Sequence, residues 1–302
     1  MRTASRLSLA ILLTFGATTV QLATRLMASD EGAAAVRQPG QKATLKPTAA
    51  TAPDIPFHDY DFQSEEQLLA FANRSRRQAG APPLTLDVGL SQAARVHAQA
   101  MFQARQLSHQ FDGEPKLPQR LAATTDLQLD QEGENVALDY DAEHGHQHLM
   151  LSPPHRANLL NPAYNVVGLG VVRSGDRLYI VQDFGHALPN YSPAEVKEYI
   201  AAAVNQMRRQ ARRLQLKRLD RLATDDAACS MTRADRLQTS PVQKLSASFN
   251  VLTYTGLHLE TLPARAAHLI TSRNLQNFSI GACYGRTDTY PTGAYWIVLA
   301  LE

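Results

Sequence analysis

The sequence predicts an α+β fold, because two apolar helical stripes are followed by two runs of β-forming residues. The stripes lie within residues 64–79 and 87–106, where apolar side chains recur at the three- and four-residue spacing of a helix face. Residues 166–172 (VVGLGVV) and 177–184 (RLYIVQDF) are typical of strands, and the Ser-Gly-Asp turn at 174–176 between them is typical of a hairpin. We therefore expect helices packed beside a small antiparallel sheet.

Both predicted helices have recognisable end signals. The first begins at Ser64, which has Gln67 three positions later in the pattern of a capping box, and it stops at Gly80. The second has Asp87 as its N-cap and ends near Gln106. Two separate helices therefore precede the strands.

The composition is that of a globular chain with little net charge. Its 302 residues contain 30 Lys and Arg against 28 Asp and Glu, a formal charge of +2, and 44% of them are hydrophobic. This balance excludes a polycationic nucleic-acid binder, so we expect no nucleic-acid partner. Two cysteines are too few for a disulfide scaffold or a cysteine-rich zinc module.

The N-terminal region has the pattern of an export signal. Arg2 and Arg6 precede an apolar run over residues 7–20, which has the length of a secretory hydrophobic region and is short for a spanning helix. We predict that residues 1–28 are a signal peptide or an N-terminal anchor and that residues 29–58, rich in Ala, Thr, Pro and Gln, are a disordered linker. The protein is then secreted or extracytoplasmic, with membrane contact only through an uncleaved N-terminal segment.

Three polar segments lie between the second helix and the strands. They are SHQFDG at 108–113, GENVA at 133–137 and SPPHRANLLNP at 152–162. In this order, with the first helix before them and VGLGV and YIVQDF after them, residues 62–186 resemble the bacterial branch of the CAP superfamily. That superfamily comprises the cysteine-rich secretory, venom-allergen and plant pathogenesis-related proteins. The resemblance implies the family's α-β-α sandwich for residues 59–190.

The resemblance also implies a cleft around two histidines and a glutamate, which fall on His109, Glu134 and His155. Such a set suits a divalent metal such as zinc with an open coordination position, or a general acid/base pair if the protein is an enzyme. Family members with a fourth cleft residue have a second glutamate on the helix before the second histidine, and bacterial members often have asparagine in that stretch. Here the asparagine position is Leu151, so any ligand set is reduced to three residues.

Three functions remain open at this level. The leading hypothesis is an extracytoplasmic binding module for a small or lipid-like ligand, a cell-wall polymer or a protein partner. The alternative is a metal-assisted hydrolase in which His109, Glu134 and His155 hold or activate a zinc-bound water. The third is a purely structural surface protein. The missing fourth polar residue, and the absence of a nucleophile motif around Ser108, favour binding over catalysis.

Other polar residues have simpler interpretations. His97 lies on the apolar stripe of the second helix, where we expect a core histidine with satisfied hydrogen bonds. Asn135 is expected to brace its turn. His144 and His148 are one helical turn apart, so they predict an adventitious surface metal site rather than a physiological one.

Residues 191–302 repeat landmarks of the first unit in the same order. NRSRRQA at 73–79 is echoed by NQMRRQA at 205–211, and YIV at 179–181 is echoed by WIV at 296–298. We therefore predict a smaller C-terminal α+β module that is a degenerate copy of the first, with chance matching of short strings as the alternative.

The same alignment predicts that the copy has lost its cleft, because Glu134 is matched by Phe249 and the SPPHRANLLNP segment is missing. Its expected roles are packing against the first unit or offering a surface to a partner. Cys229 and Cys283 both fall in this module and predict a disulfide in an oxidising compartment, or two buried thiols otherwise. The basic run over residues 208–221 predicts a solvated helix face, with attachment to acidic lipid or cell-wall polymer as the alternative.

Overall fold

The computed structural model describes residues 60–238, 240–242, 245 and 249–302. The predicted signal or anchor (1–28) and linker (29–58) lie outside the described residues. Within the described ranges, no helix is both long enough and apolar enough to cross a membrane.

Residues 60–187 form a sheet with helices on both faces, as the α+β prediction requires. The elements in chain order are α1 (Phe62–Gln78), β1 (Thr85–Leu86), α2 (Val88–Ala104), α3 (Leu117–Ala122), β2 (Leu129–Asp139), α4 (Ala142–Leu151), α5 (Pro153–Leu160), β3 (Val166–Ser174) and β4 (Arg177–Ala187).

The strand order of this sheet is β1-β3-β4-β2, which places β2 at one edge. β3 and β4 form the predicted antiparallel hairpin, turning at Gly175 with φ of +60°. β2 pairs antiparallel with the other side of β4, whereas the short β1 runs parallel to β3. The sheet is therefore mixed rather than purely antiparallel, because the chain passes from β1 through α2 and β2 before it returns alongside as β3.

Alternate residues of the strands point to two cores, as the period of two requires. On one face, Leu169 and Ile180 pack with apolar side chains of α1, α4 and α5. On the other face, Val172 and Val181 pack with Ala98 and its neighbours on α2. These two layers of helices around one sheet confirm the expected α-β-α sandwich.

The two helix starts differ from each other in how well the sequence predicted them. Asp87 caps α2 as expected, since its side chain accepts a hydrogen bond from the Leu90 backbone N–H. The predicted capping box at Ser64 is wrong, because α1 begins earlier and Asp61 is its N-cap, accepting from the Ser64 backbone N–H at 2.9 Å. A carboxylate is the stronger acceptor at the positive end of the helix, and Asp61 is also held by Arg173.

The second half of the chain forms another sheet with the same strand order, β5-β7-β8-β6. Its β5–β7 pair is parallel and its other pairs are antiparallel, as in the first sheet. Its elements are α6 (Pro193–Gln210), β5 (Lys217–Arg218), α7 (Leu222–Arg233), β6 (Asn250–Gly256), α8 (Ala266–Ile270), β7 (Asn277–Gly285) and β8 (Ala294–Leu301).

A buried arginine near the end of the first helix is common to both halves. The guanidinium of Arg76 donates to backbone carbonyls of the turn after α1 and of the segment after α5, including Pro82 and Tyr164. Arg208 does the same in the second half, donating to the carbonyls of Leu214 and Ile270. The shared strand order and this shared arginine support the internal repeat that the sequence predicted.

The prediction of one solvated basic face over residues 208–221 is wrong, because several of its members are engaged within the fold. Arg208 is 2% exposed, and Arg213 donates to the Thr271 carbonyl. Arg218 and Arg221 form ion pairs with Glu198 and Glu302. The periodic pattern alone did not distinguish an arginine that binds carbonyls from one that faces water.

Strand pairing corrects the alignment of the two halves in β2 and β6. Glu134 lies opposite Asp183 in the first sheet, and the equivalent pair in the second sheet is Val251 with Ala300. Glu134 therefore corresponds to Val251 rather than to Phe249. The expectation that the copy lacks the glutamate holds, and Asp183 is also replaced by an apolar residue.

The two cysteines are joined in a disulfide between α7 and β7. The Cα atoms of Cys229 and Cys283 are 5.0 Å apart, and the bond closes a loop with a sequence separation of 54. It links the helix to the central part of the second sheet.

Candidate functional site

The three residues predicted for the cleft meet at the β2 edge of the first sheet. His109 lies in the loop between α2 and α3, Glu134 on β2 and His155 on α5. The Nδ1 atom of His109 is 2.9 Å from Oε1 of Glu134, and the ring centres of His109 and His155 are 6.4 Å apart. The fold thus brings together residues that are 46 positions apart in the chain.

The second oxygen of Glu134 is held by an arginine that the sequence analysis did not identify. Arg120 on α3 donates from Nη2 to Oε2 of Glu134 at 2.6 Å, and both side chains are at most 6% exposed. The same Nη2 lies 3.4 Å from the His109 carbonyl. A buried carboxylate needs such a partner to remain charged, and charge-assisted bonds of this kind are strong and directional.

The ion pair continues inward to a histidine on α2. Arg120 also contacts Oε1 of Glu114 at 3.3 Å, and that oxygen lies 2.6 Å from Nδ1 of His97. The Nε2 atom of His97 donates to the Ser108 carbonyl at 2.9 Å. His97 is fully buried, so its predicted role as a satisfied core histidine is confirmed, and it anchors the residue before His109.

A further carboxyl group lies beneath the cleft. Asp183 is opposite Glu134 in the β2–β4 pairing and is 1% exposed. Burial, and secondarily the neighbouring Glu134 carboxylate, raise the pKa of Asp183 well above its usual range. Burial thus favours the protonated form of Asp183, whereas Glu134 has the contacts with Arg120 and His109.

Asn135 fixes the backbone of the second cleft histidine. Its amide donates to the His155 carbonyl at 3.1 Å, and its carbonyl oxygen accepts from Asn158 at 3.0 Å. Asn135 is fully buried, which agrees with the structural role expected for it. Partial burial, and secondarily the nearby His109, lower the pKa of His155, so its imidazole is neutral at pH 7.

The geometry determines which face His109 presents to a ligand. The Nδ1 atom of His109 donates a hydrogen bond to Glu134, so the other ring nitrogen, Nε2, is the one left for a ligand. The side chain of His109 is 57% exposed, whereas that of Glu134 is 5% exposed. The cleft therefore offers imidazole groups to solvent and keeps its charged pair beneath them.

The residues in this arrangement do not fit a metal site. Both oxygens of Glu134 are engaged, and the side chain of Leu151, 79% exposed, has no atom that could bind a metal. Across the described ranges, no group of three or more His, Cys, Asp or Glu side chains has the geometry to hold a metal ion.

The surface histidines of α4 do not form a joint chelate either. His144 contacts Asp141 at 2.9 Å, and His148 contacts Asp139 at 2.6 Å, so each imidazole has its own carboxylate. The hydrogen bond from His144 to Asp141 raises the pKa of His144.

Arg120 and Glu114 are the residues of this network that sequence reasoning missed. A signal for Arg120 exists, because it lies next to Leu121 and one turn from Leu117, on the face of α3 that packs inward. Nothing comparable marks Glu114, whose loop position is set by contacts with His97 and Arg120.

Comparison with known proteins places this site in a family. Residues 69–184 match the sequence model of the CAP family, described as the cysteine-rich secretory protein family. The protein YkwD of Bacillus subtilis is 30% identical over 112 residues, which are 37% of this chain and 43% of the relative. The chain thus covers less than half of the length of this curated relative.

Two solved structures are similar to part of the chain. An outer surface protein from Borrelia burgdorferi has 19% identity and a TM-score of 0.40, covering 43% of this chain and 98% of its own. An extracellular protein with an SCP domain from Bacillus anthracis has 26% identity and a TM-score of 0.38, covering 42% and 41%. By the sequence-model match, residues 69–184 correspond to the CAP domain of the cysteine-rich secretory protein family, over less than half of the chain.

Proposed function

We propose that the CAP domain is an extracytoplasmic binding module and that His109 and His155 contact its ligand directly. The observation that supports this most is the fixed orientation of His109, whose Nδ1 is bound to a buried carboxylate while most of the ring is exposed. A fixed, exposed imidazole gives directional recognition at little entropic cost.

The class of ligand follows from the hydrogen bonds that the two imidazole rings can make. A neutral imidazole with a free Nε2 accepts hydrogen bonds from hydroxyl and amide groups. His155 is neutral at pH 7 because burial lowers its pKa. We therefore favour a polymer rich in hydroxyl and amide groups, as cell-wall glycan with peptide side chains is, over a lipid-like ligand.

Binding without turnover fits the chemistry of Glu134 better than hydrolysis does. A carboxylate that acts as a general base must be free to take a proton from water. Glu134 is instead neutralised by Arg120 at 2.6 Å and bonded to His109. A metal-assisted hydrolase using His109, Glu134 and His155 would require these contacts to rearrange.

The test is sedimentation of the purified chain with insoluble peptidoglycan and, separately, with phosphatidylglycerol vesicles. We compare the wild type with His109→Ala/His155→Ala and with the control His144→Ala/His148→Ala, whose imidazoles are well exposed. Loss of hydrogen bonds worth about 0.5–1.5 kcal/mol each predicts roughly 5- to 150-fold weaker peptidoglycan binding for the cleft variant only.

Other outcomes separate the alternatives. Binding to vesicles that depends on the cleft pair would replace the glycan with a lipid-like ligand. Calorimetry with zinc chloride tests the metal-assisted hydrolase. Tight binding of one zinc ion that is lost only in the cleft variant would overturn the proposal of a binding module. If the cleft variant behaves like the wild type in every assay, the hypothesis of a purely structural surface protein is favoured.

A further inference from the structure

The second half of the chain contacts the helix that carries Arg120. Arg286 follows β7 and extends to the C-terminal end of α3, where its Nη1 donates to the Ala122 carbonyl at 2.9 Å. Its Nη2 donates to the carbonyls of Thr125 at 2.6 Å and Leu127 at 3.3 Å. The last carbonyls of a helix lack partners within the helix, and a guanidinium can satisfy several at once.

The second half also contacts the strand that carries Glu134. The hydroxyl of Thr292, a residue that is 7% exposed, donates to the carbonyl of Leu129 at 3.0 Å. Leu129 is the first residue of β2. One position later, Oδ2 of Asp130 is 2.8 Å from Nε2 of His258, which lies between β6 and α8. Both elements that supply the buried ion pair of the cleft are thus held from the same side.

Among the described residues of the second half there is no counterpart of the cleft. At the positions of Glu134 and Asp183 it has Val251 and Ala300. Its described residues contain no helix between α8 and β7 to correspond to α5. It nevertheless has a packed core and a disulfide. A stable fold without the polar site is what a purely supporting role requires.

We propose that the second half is an intramolecular brace for the CAP cleft, with Arg286 and Thr292 as its positioning residues. Arg286 holds the end of α3, so that Arg120 reaches Glu134, and Thr292 holds the start of β2, so that Glu134 reaches His109. Neither residue touches the ligand. The inference rests on the proposed function only in that the braced residues are those of the cleft.

The experiment measures the hydrogen bonding of a cleft residue, His109, rather than ligand binding. In the full chain labelled with ¹⁵N, the His109 imidazole resonances report the hydrogen bond to Glu134, and Glu134→Gln defines the signal of the altered pair. Arg286→Ala is expected to shift these resonances toward those of Glu134→Gln. The control Arg209→Ala removes the same charge from an exposed position on α6 of the same half and is expected to leave them unchanged.

Thr292→Val is a second, independent variant for this test. It removes one hydroxyl group at nearly constant side-chain volume. It remains informative if Arg286→Ala does not fold. We expect it to shift the same His109 resonances by a smaller amount. The proposal is overturned if His109 is unchanged in each folded variant while only the amides of residues 122–129 shift. If the wild type does not bind peptidoglycan but the variants still shift the His109 resonances, the proposed function is wrong and the brace proposal stands.

Discussion

At the scale of single residues, the buried ion pair controls the cleft. Arg120 and Glu134 are nearly inaccessible to water, so each charge depends on the other for stabilisation. Glu134 then fixes the tautomer of His109, and Asn135 fixes the backbone at His155. The two imidazoles of the cleft are therefore positioned by buried residues.

Replacing Arg120 tests this dependence. Arg120→Met leaves the Glu134 carboxylate buried without its partner, so we expect a loss of about 3–5 kcal/mol in the free energy of unfolding, measured by urea denaturation. Arg156→Met, at an exposed position on α5, is the matched control and is expected to change stability little. Equal stability of the two variants would contradict a dependent ion pair.

A second residue-scale prediction concerns His146 on α4, whose Nε2 lies 2.9 Å from the Ser75 hydroxyl on α1. Burial, and secondarily the charge of Arg74, lower the pKa of His146. The unfolded chain therefore binds this proton at a higher pH than the folded protein does. The resulting stability is fully present above the unfolded histidine pKa of about 6.5 and is lost as the pH falls below it.

The measurement is the free energy of unfolding at several pH values from neutral to mildly acidic. We expect His146→Gln, which retains a polar group next to Ser75, to weaken the loss of stability on acidification. His268→Gln, at an exposed position on α8, should follow the wild-type pH profile. A wild-type profile in His146→Gln would show that this histidine does not cause the acid sensitivity.

At the scale of elements, each sheet has a glycine where a helix crosses it closely. Gly170 on β3 and Gly281 on β7 occupy equivalent positions in the strand pairings. A Cβ atom would overlap the backbone of Ala94 on α2 in the first case and the Thr224 carbonyl on α7 in the second. Both helices can lie against their sheets only because these side chains are absent.

Substituting this glycine in the second half gives a local prediction. Gly281→Ala forces α7 away from β7, and overpacking of this kind typically costs about 1–3 kcal/mol in the free energy of unfolding. Gly256→Ala on β6 is the control, because the nearest atoms to its Cβ are at 3.9 Å, an ordinary contact. Similar melting temperatures for both variants would contradict the close approach of α7.

At the scale of the whole molecule, two halves with the same topology have different roles. The first carries the cleft, and the second carries the disulfide and the proposed brace. A disulfide also requires an oxidising compartment in most organisms. This agrees with the extracytoplasmic location that we propose.

The disulfide gives the prediction at this scale. Closing a loop with a sequence separation of 54 contributes about 4 kcal/mol in the chain-entropy description. Cys229→Ser/Cys283→Ser should therefore unfold at a lower denaturant concentration than the oxidised protein. In hydrogen exchange, we expect the protection of β7 and α7 to fall first and that of β3 and β4 to fall less. A uniform loss across both halves would show that they unfold as one unit.

Much of this architecture could be predicted from local patterns. The periods of 3.6 and 2 located α1, α2, β3 and β4, and the motif order located His109, Glu134 and His155. These signals are readable because a helix or a strand imposes its period on consecutive residues. The cap at Asp87 is also a local feature, since Asp87 accepts a hydrogen bond from Leu90, only three residues later in the chain.

Only the tertiary structure decided the features that depend on distant residues. The contact of Arg120 with Glu134 forms only when α3 packs beside β2, and the raised pKa of Asp183 arises from its burial opposite Glu134. The true counterpart of Glu134 in the second half, Val251, emerged from strand pairing, because a shift of register leaves short sequence matches intact. The sequence by itself thus predicted which residues form the candidate cleft, whereas long-range pairing and burial decided their contacts and orientation.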